Sequence, residues 1–170
     1  MPIGPAVQPL STNPCLLVNF EAMTDPTNRF PPGRREAYRT FLAIATRWMD
    51  NDPYGHMNNV VHYSLFDTAV NRWLIEQGLL DIRSGEQIGL VVESGCRYFS
   101  ELAFPDIVNV GIRVAKLGSS SVRYEVGLFR NDEPTAAAEG FFVHVYVDRI
   151  TRLPTPLSEK LRAALQGIQS

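Results

Sequence analysis

Apolar and polar residues alternate with a period of two along most of the second half of the chain. Residues 107–116, for example, place Val108, Val110 and Ile112 on one side and polar or small residues on the other, a pattern typical of antiparallel strands. Turn-forming residues interrupt the alternation at short intervals. Five strands are therefore predicted, at residues 38–48, 88–99, 107–116, 122–128 and 135–148.

Residues 60–77 have the pattern of a helix. They contain neither proline nor glycine, Asn58 and Asn59 supply good N-cap residues just before them, and Gly78 supplies a C-terminal stop. Apolar side chains occupy most of the helix circumference, so we expect the helix to be enclosed. One strand, one buried helix and four further strands predict an α+β fold in which an antiparallel sheet wraps around a central helix.

The distribution of prolines divides the chain into three regions. Seven of the twelve prolines lie in residues 1–37, which we interpret as an extended arm without a core of its own. Residues 38–150 form the predicted domain, and residues 151–170 form a tail with a short helix capped by Ser158. An open sheet leaves an edge strand exposed. Pairing two such edges would cover it, so we expect a homo-oligomer, either a dimer or a dimer of dimers.

Composition and charge narrow the classes of function. The chain of 170 residues has a formal net charge of −2, which argues against a dedicated nucleic-acid-binding protein. Its longest apolar run, residues 41–45, is too short to span a membrane, and the N-terminus lacks the pattern of a secretory signal. Cys15 and Cys96 form no CxxC pair, so we expect no metal site, no disulfide framework and a cytoplasmic location.

The segment between the first strand and the helix carries the candidate chemistry. Asp52 lies seven residues before Asn59, close to the predicted start of the helix. Free N–H groups at a helix N-terminus, together with the positive end of the helix dipole, can stabilise a developing oxyanion. A carboxylate on a tight turn beside them could attack a carbonyl or activate water, which suits thioester or ester hydrolysis without a metal or cofactor. A purely structural role, in which Asp52 bonds the amides of its own turn, is also compatible with the sequence.

The string D-x-D-P-x-G-x-x-x-N, which begins at Asp50, resembles that of the hotdog-fold acyl-CoA thioesterases. The most similar branch is the one that includes 4-hydroxybenzoyl-CoA thioesterase. The resemblance implies that Asp52 is the catalytic carboxylate and that the backbone N–H of Asn59 donates to the thioester oxygen. It also implies that Gly55 lets the loop approach the thioester closely, and His56 is a further polar candidate.

The same resemblance implies where the substrate binds. In this family coenzyme A lies along the subunit interface, and its phosphates contact the third and fourth strands and their hairpin. The corresponding substrate-binding candidates are Lys116, Ser119, Ser120 and Arg123. The expected activity is hydrolysis of acyl-CoA to the free acid and coenzyme A.

Two alternatives to this activity remain open. The segment around Asp52 is also similar to the plant acyl-carrier-protein thioesterases, although Tyr54 stands where those enzymes carry an Asn. A non-catalytic acyl-CoA-binding module on the same fold is the second alternative. The sequence also leaves open whether Asp52 would act as nucleophile or as general base.

Several other residues are interpreted first as structural. Asp50 is expected to order the turn that carries Asp52. Asp67 on the helix and Glu93 on the second strand are weaker candidates for a catalytic acid or base. The remaining predictions are a structural or surface position for His62 and His144 and a core position for Trp48 and Trp73.

Overall fold

Five antiparallel strands form a single sheet in the computed structural model of this chain, which describes residues 30–170. The strands are β1 (Thr40–Ala45), β2 (Gln87–Tyr98), β3 (Ile107–Leu117), β4 (Ser121–Arg130) and β5 (Ala138–Asp148), in the spatial order β1-β3-β4-β5-β2. All four pairings between neighbouring strands are antiparallel. The five predicted strands are therefore confirmed. Most of the predicted arm, residues 1–37, lies outside the described residues.

A long helix, α1 (Asn59–Glu76), packs across one face of this sheet. Its buried side includes Phe66 and Val70, which contact the inward-facing valines and aromatic residues of β3, β4 and β5. The helix packs tightly on the sheet at Gly140, where an added Cβ would collide with the ring of Phe66. This arrangement confirms the predicted α+β architecture of one antiparallel sheet and one long helix.

The expectation that α1 is fully enclosed is wrong for the single chain. On the side that faces away from the sheet, Val60 is 69% exposed and Ile75 is 48% exposed. The apolar residues that predicted enclosure therefore lie on two sides of the helix, and one of these sides is open within residues 30–170.

The first strand ends earlier than its sequence pattern predicted. The backbone N–H and the hydroxyl of Thr46 both donate to the carbonyl of Asp106, at 3.0 and 2.7 Å, and the chain then turns into a short 3₁₀ helix, Trp48–Asp50. Trp48 is consequently 79% exposed and packs edge-on against Phe104. The predicted core position of Trp48 is wrong, whereas that of Trp73 is confirmed.

The C-terminal tail adds a second helix, α2 (Glu159–Gly167), to the core. Ser158 caps it as predicted, because its hydroxyl oxygen accepts a hydrogen bond from the N–H of Leu161 at 3.3 Å. Leu161 and Leu165 are buried in the main core cluster. Neither α1 nor α2, the α-helices of the described residues, has both the length and the apolarity needed to cross a membrane.

The sheet has two ends that matter for the site. At one end, here called the loop end, β1 finishes beside the start of β3 and β2 finishes at Tyr98, beside the start of β5. At the other, the hairpin end, the turn between β3 and β4 lies near the start of β2. A strand rises about 3.3 Å per residue, so the two ends are roughly 30 Å apart along β3. The segment that contains Asp52 follows β1 and therefore lies at the loop end.

Candidate active site

Asp50 orders the loop between β1 and α1, as predicted. Its buried carboxylate accepts hydrogen bonds from the backbone N–H of Arg47 at 2.7 Å and from the Arg47 guanidinium at 2.8 Å. Its carbonyl accepts a hydrogen bond from the N–H of Asn58 at 2.9 Å, which fixes the start of the helix. Although burial opposes ionisation, the hydrogen bonds and charge of Arg47 hold the pKa of Asp50 below its usual value.

Asp52 lies on a tight turn that Gly55 makes possible. Gly55 has a φ of 87°, in the left-handed region that favours glycine, and its N–H donates to the carbonyl of Asp52 at 3.1 Å. Oδ1 of Asp52 accepts hydrogen bonds from the backbone N–H groups of Tyr54 and His56, at 2.8 and 3.2 Å. Oδ2 receives no hydrogen bond from the described residues. The structural role considered for Asp52 therefore occupies one oxygen and leaves the other available.

Asn58 caps α1 and leaves one helix amide free. Its side-chain oxygen accepts a hydrogen bond from the N–H of Val60 at 3.0 Å, and its carbonyl accepts one from the N–H of Val61 at 2.9 Å. The N–H of Asn59, the first residue of the helix, has no hydrogen-bond partner within residues 30–170. This N–H is thus an available donor at the positive end of the helix dipole.

Asp52 and Asn59 border one open cavity of about 330 Å³ at the loop end. This volume lies within the range of small-molecule sites. The remaining lining residues are His56, Met57, Asn58, His62 and Tyr98. The cavity therefore brings together a carboxylate and an unpaired helix amide, which is the arrangement that the hydrolase hypothesis requires.

The ring of His56 stands at the rim of this cavity. Its Nε2 lies 3.3 Å from Oε1 of Glu101, and both side chains are largely exposed, so the pair contributes little to stability. The backbone N–H of His56 is the part that contacts Asp52.

The four predicted coenzyme A contacts lie away from this cavity in the single chain. Ser119 and Ser120 are in the turn at the hairpin end, and Lys116 and Arg123 are cross-strand neighbours beside that turn. The structure therefore does not bring them together with Asp52 of the same chain, and their role stays a prediction.

Arg123 borders a second cavity, of about 360 Å³, on the opposite face of the sheet from α1. Its guanidinium lies over the ring of Phe141, 3.6 Å from the ring centre. Beside it, Arg113 forms an ion pair with Glu125 at 2.7 Å. This cavity does not include Asp52.

The two weaker carboxylate candidates, Asp67 and Glu93, are exposed in the single chain. Asp67 accepts a hydrogen bond from the side chain of Asn71 at 2.9 Å, and Glu93 lies on β2 at the edge of the sheet. Neither side chain lines the cavity that contains Asp52.

The sequence analysis predicted only a structural or surface position for His62 and did not consider Tyr98, yet both residues line this cavity. The ring of His62 is buried, with Nδ1 3.2 Å from the carbonyl oxygen of Asn58 and its ring centre 4.9 Å from that of Tyr98. A signal for His62 was available, because a helical side chain four residues after the N-cap points back towards the helix start. Tyr98 had no such local signal, because its position depends on how β2 pairs with β5.

Comparison with known proteins gives matches over most of the chain. The family model described as the thioesterase-like superfamily matches residues 46–165. The PA5185 protein of Pseudomonas aeruginosa strain PAO1 is 54% identical, with 82% of this chain and 98% of that chain covered and a TM-score of 0.80. Among curated proteins, none matches this chain significantly.

Two more distant crystal structures carry thioesterase names. A thioesterase from Thermus thermophilus, complexed with coenzyme A and Zn, is 28% identical, with 79% of this chain and 97% of that chain covered and a TM-score of 0.66. The protein Slr0204 of Synechocystis, a 1,4-dihydroxy-2-naphthoyl-CoA thioesterase, is 16% identical, with 74% and 94% covered and a TM-score of 0.68. At this identity, the second structure is informative about the fold alone.

Proposed function

Because the chain belongs to the thioesterase-like superfamily, we propose that it hydrolyses acyl-CoA thioesters to free acid and coenzyme A, with Asp52 as the catalytic carboxylate. The family match confirms the predicted resemblance to hotdog-fold thioesterases. One observation carries the proposed roles: Asp52, whose Oδ2 has no partner among the described residues, and Asn59, whose N–H has none there, border the same cavity.

The proposed mechanism places the thioester between these two groups. Its carbonyl oxygen is directed at the N–H of Asn59, where that donor and the helix dipole stabilise the developing oxyanion. Its carbonyl carbon faces Oδ2 of Asp52. The two amide hydrogen bonds to Oδ1 hold the carboxylate in one orientation, so Oδ2 needs little reorganisation either to attack the carbon or to activate a water that does. Coenzyme A then leaves as the thiolate.

Substitution of Asp52 tests the catalytic assignment directly. We expect Asp52→Asn to lower kcat at least ~100-fold with acyl-CoA substrates, at the low end of what a general base contributes. Asp67→Asn and Glu93→Gln are matched controls, because they neutralise carboxylates outside the cavity, and both are expected to keep near-normal turnover. Release of the free thiol, measured continuously, checks all three. Near-normal turnover in Asp52→Asn would remove Asp52 from the mechanism.

An isotope experiment separates the two routes open to Asp52. In a single turnover in H₂¹⁸O, a nucleophilic carboxylate forms a mixed anhydride, and water that attacks this anhydride at the Asp52 carbonyl leaves label on the protein. Trapping the acyl-enzyme complements this measurement. A general base leaves all the label in the product acid.

The substrate class is tested by presenting one acyl chain on two carriers. The thioesterase from Thermus thermophilus that contains coenzyme A supports the acyl-CoA assignment. Faster turnover of the acyl-carrier-protein thioester would favour the carrier-protein alternative instead. Tight binding of acyl-CoA without hydrolysis by the wild-type protein would identify a non-catalytic binding module.

We also propose that the protein forms a homodimer through the edge strand β2. Along this strand Leu90, Val91 and Val92 are 39%, 49% and 61% exposed, and no strand of residues 30–170 pairs with its outer side. An apolar, unpaired edge strand of this length readily pairs with a second copy. A two-fold axis across the middle of β2 would make that pairing antiparallel.

Such a dimer would complete the binding site. Antiparallel pairing of the two β2 strands sets the hairpin end of one copy beside the loop end of the other. The hairpin of the second copy would then lie about three strand spacings, or ~14 Å, beyond the edge strand that carries Tyr98. This separation suits an extended coenzyme A molecule, whose phosphates would contact Lys116, Ser119, Ser120 and Arg123 of the second copy.

A charge placed on the edge strand tests the dimer. We expect Val92→Lys to yield monomers in sedimentation, because lysine on an edge strand opposes strand pairing. It should also raise KM for acyl-CoA although Asp52 is intact. A fully active monomer would show that the second copy contributes nothing to the site.

A further inference from the structure

His62 is held in one tautomer at the start of α1. The residue is 4% exposed, and Nδ1 lies 3.2 Å from the carbonyl oxygen of Asn58. A carbonyl oxygen can only accept a hydrogen bond, so Nδ1 must carry the proton. The other ring nitrogen, Nε2, therefore presents a lone pair.

The position of His62 leaves Nε2 available to the candidate active site. His62 lines the cavity that contains Asp52 and Asn59. Nε2 has no hydrogen-bond partner among the described residues. It is also not fully buried, because the fully buried and unpaired side-chain nitrogens of these residues are the two of His144. The lone pair of Nε2 is thus an acceptor that no group in residues 30–170 uses.

The groups around His62 keep its ring neutral. Burial lowers the pKa of His62 below its usual value, and the hydrogen bond to Asn58 opposes this effect in part. The other titratable groups of the cavity are Asp52 and His56 from the loop and Tyr98 from β2. Burial raises the pKa of Tyr98 to about 12, so Tyr98 is uncharged and cannot compete as a base near neutral pH.

We propose that His62 is a second catalytic residue, whose Nε2 takes a proton from the water that hydrolyses the acyl group on Asp52. This inference rests on the proposed function. Oδ2 of Asp52 adds to the thioester carbon, the C–S bond breaks, and coenzyme A leaves as the thiolate with the acyl group held on Asp52 as a mixed anhydride. One O–H bond of water then breaks, its proton goes to Nε2, and its oxygen adds to the Asp52 carbonyl carbon of the anhydride.

The cycle closes without any further reactant. The bond between the Asp52 carbonyl carbon and the bridging oxygen of the anhydride breaks, which restores the carboxylate and releases the acid. The proton on Nε2 passes to the thiolate or to solvent. The structure supports this division of roles because the cavity offers two separate acceptors, a carboxylate oxygen and a neutral imidazole nitrogen.

Two substitutions isolate the proposed step. His62→Asn keeps an N–H close to the position of Nδ1, so the bond to Asn58 can persist while the Nε2 acceptor is lost. His62→Gln places an amide near Nε2 that can hydrogen-bond water but cannot take its proton. In both variants we expect steady-state kcat to fall at least ~100-fold, while the first equivalent of coenzyme A per site is still released rapidly as a burst. Mass spectrometry should then find the acyl group on Asp52.

A second histidine provides the matched control. His144→Phe changes a buried histidine that does not line the cavity, and we expect its turnover to stay at the wild-type level. Where hydrolysis of the anhydride limits the rate, the wild-type kcat should fall as acid protonates His62, and burial should place this fall at a pH lower than the ordinary pKa of histidine. His62→Gln should lose that part of the profile, which a merely structural role for His62 would leave unchanged.

Each outcome decides the proposal. Wild-type kcat in a folded His62→Asn or His62→Gln protein would overturn it, and so would loss of the burst together with turnover. If thermal melting shows that His62→Asn is not folded, the burst and the pH profile of His62→Gln decide alone. Failure of the proposed function has a different signature, because either the wild-type protein would release no coenzyme A or Asp52→Asn would keep the wild-type steady-state rate.

Discussion

The start of α1 and the region beneath its middle each contain a buried histidine, and the two differ in how their nitrogens are used. His62, at the helix start, donates from one nitrogen to a backbone carbonyl and presents the other to the cavity. His144, on β5, lies among the rings of Tyr124, Phe142 and Tyr146, and neither of its nitrogens has a partner among the described residues. Both residues are 4% exposed.

This difference shows that burial alone does not identify a functional histidine. Burial lowers the pKa of both rings, to about 4 for His144, where the charge of Asp67 opposes the effect. The nitrogens of His144 lose their hydration and gain nothing in return, so they reduce stability. Nδ1 of His62 is hydrogen-bonded and the residue lines a cavity, which is the basis for the catalytic role proposed for it.

The largest expected effect concerns acid stability and His144. Because its folded pKa of about 4 lies below the ordinary value of 6.5, the unfolded chain takes up a proton first as the pH falls. Protonation of His144 therefore leaves the free energy of unfolding unchanged above pH 6.5 and lowers it by about 3 kcal/mol by pH 4. Urea unfolding at several pH values measures this loss, and His144→Phe should lack it. If the free energy of unfolding of both proteins changed with pH in the same way, burial of His144 would not be the cause of the acid sensitivity.

At neutral pH the same substitution should have a smaller, stabilising effect. Phenylalanine keeps a ring among Tyr124, Phe142 and Tyr146 and removes two unsatisfied nitrogens, so we expect the free energy of unfolding to rise by about 1–2 kcal/mol. His144→Ala serves as the control, because it also removes the nitrogens but leaves a cavity and should destabilise the protein. A destabilised His144→Phe protein would mean that the two nitrogens have partners.

Removal of the helix cap should cost less and should act on the His62 region. Asn58→Ala deletes the side-chain oxygen that accepts from Val60, and we expect the free energy of unfolding to fall by about 1 kcal/mol. Turnover should fall as well, because the N–H of Asn59 loses its fixed direction. Asn71→Ala, on the exposed side of the same helix, should leave turnover unchanged. Equal losses of turnover in Asn58→Ala and Asn71→Ala would show that the helix cap has no specific role in the active site.

The smallest effect is expected at the exposed histidine, His56. Glu101→Gln removes the carboxylate that pairs with its ring, and we expect the free energy of unfolding to change by less than about 0.5 kcal/mol. Denaturation at low and high salt checks this value. If Glu101→Gln lowered the free energy of unfolding as much as Asn58→Ala, the contacts of the exposed His56 would matter to stability as much as those of a buried histidine.

The main elements of the fold were predictable because they depend on local patterns. Alternation identified the strands, and the cap and stop residues located α1 to within a residue or two. The motif that begins at Asp50 located the loop. Its detailed order, with Asp50 buried against Arg47 and Asp52 facing the cavity, follows from the same short segment.

The features that could not be predicted depend on contacts between distant segments. Trp48 continued the apolar pattern of the first strand, but Thr46 bonds to Asp106 and turns the chain away from the core. The apolar circumference of α1 predicted enclosure without indicating which side the sheet covers. Tyr98 reaches the cavity through the pairing of β2 with β5, and this register has no signature within β2 itself.

The distance between the loop end and the hairpin end has a genetic consequence for the proposed dimer. In the proposed dimer, the carboxylate of one chain and the hairpin cations of the other chain serve one thioester, so each active centre combines parts of both chains. Two inactive variants, one damaged at Asp52 and the other at Lys116 and Arg123, should therefore complement each other when co-expressed. Their mixed dimers would contain one centre with both defects and one with neither.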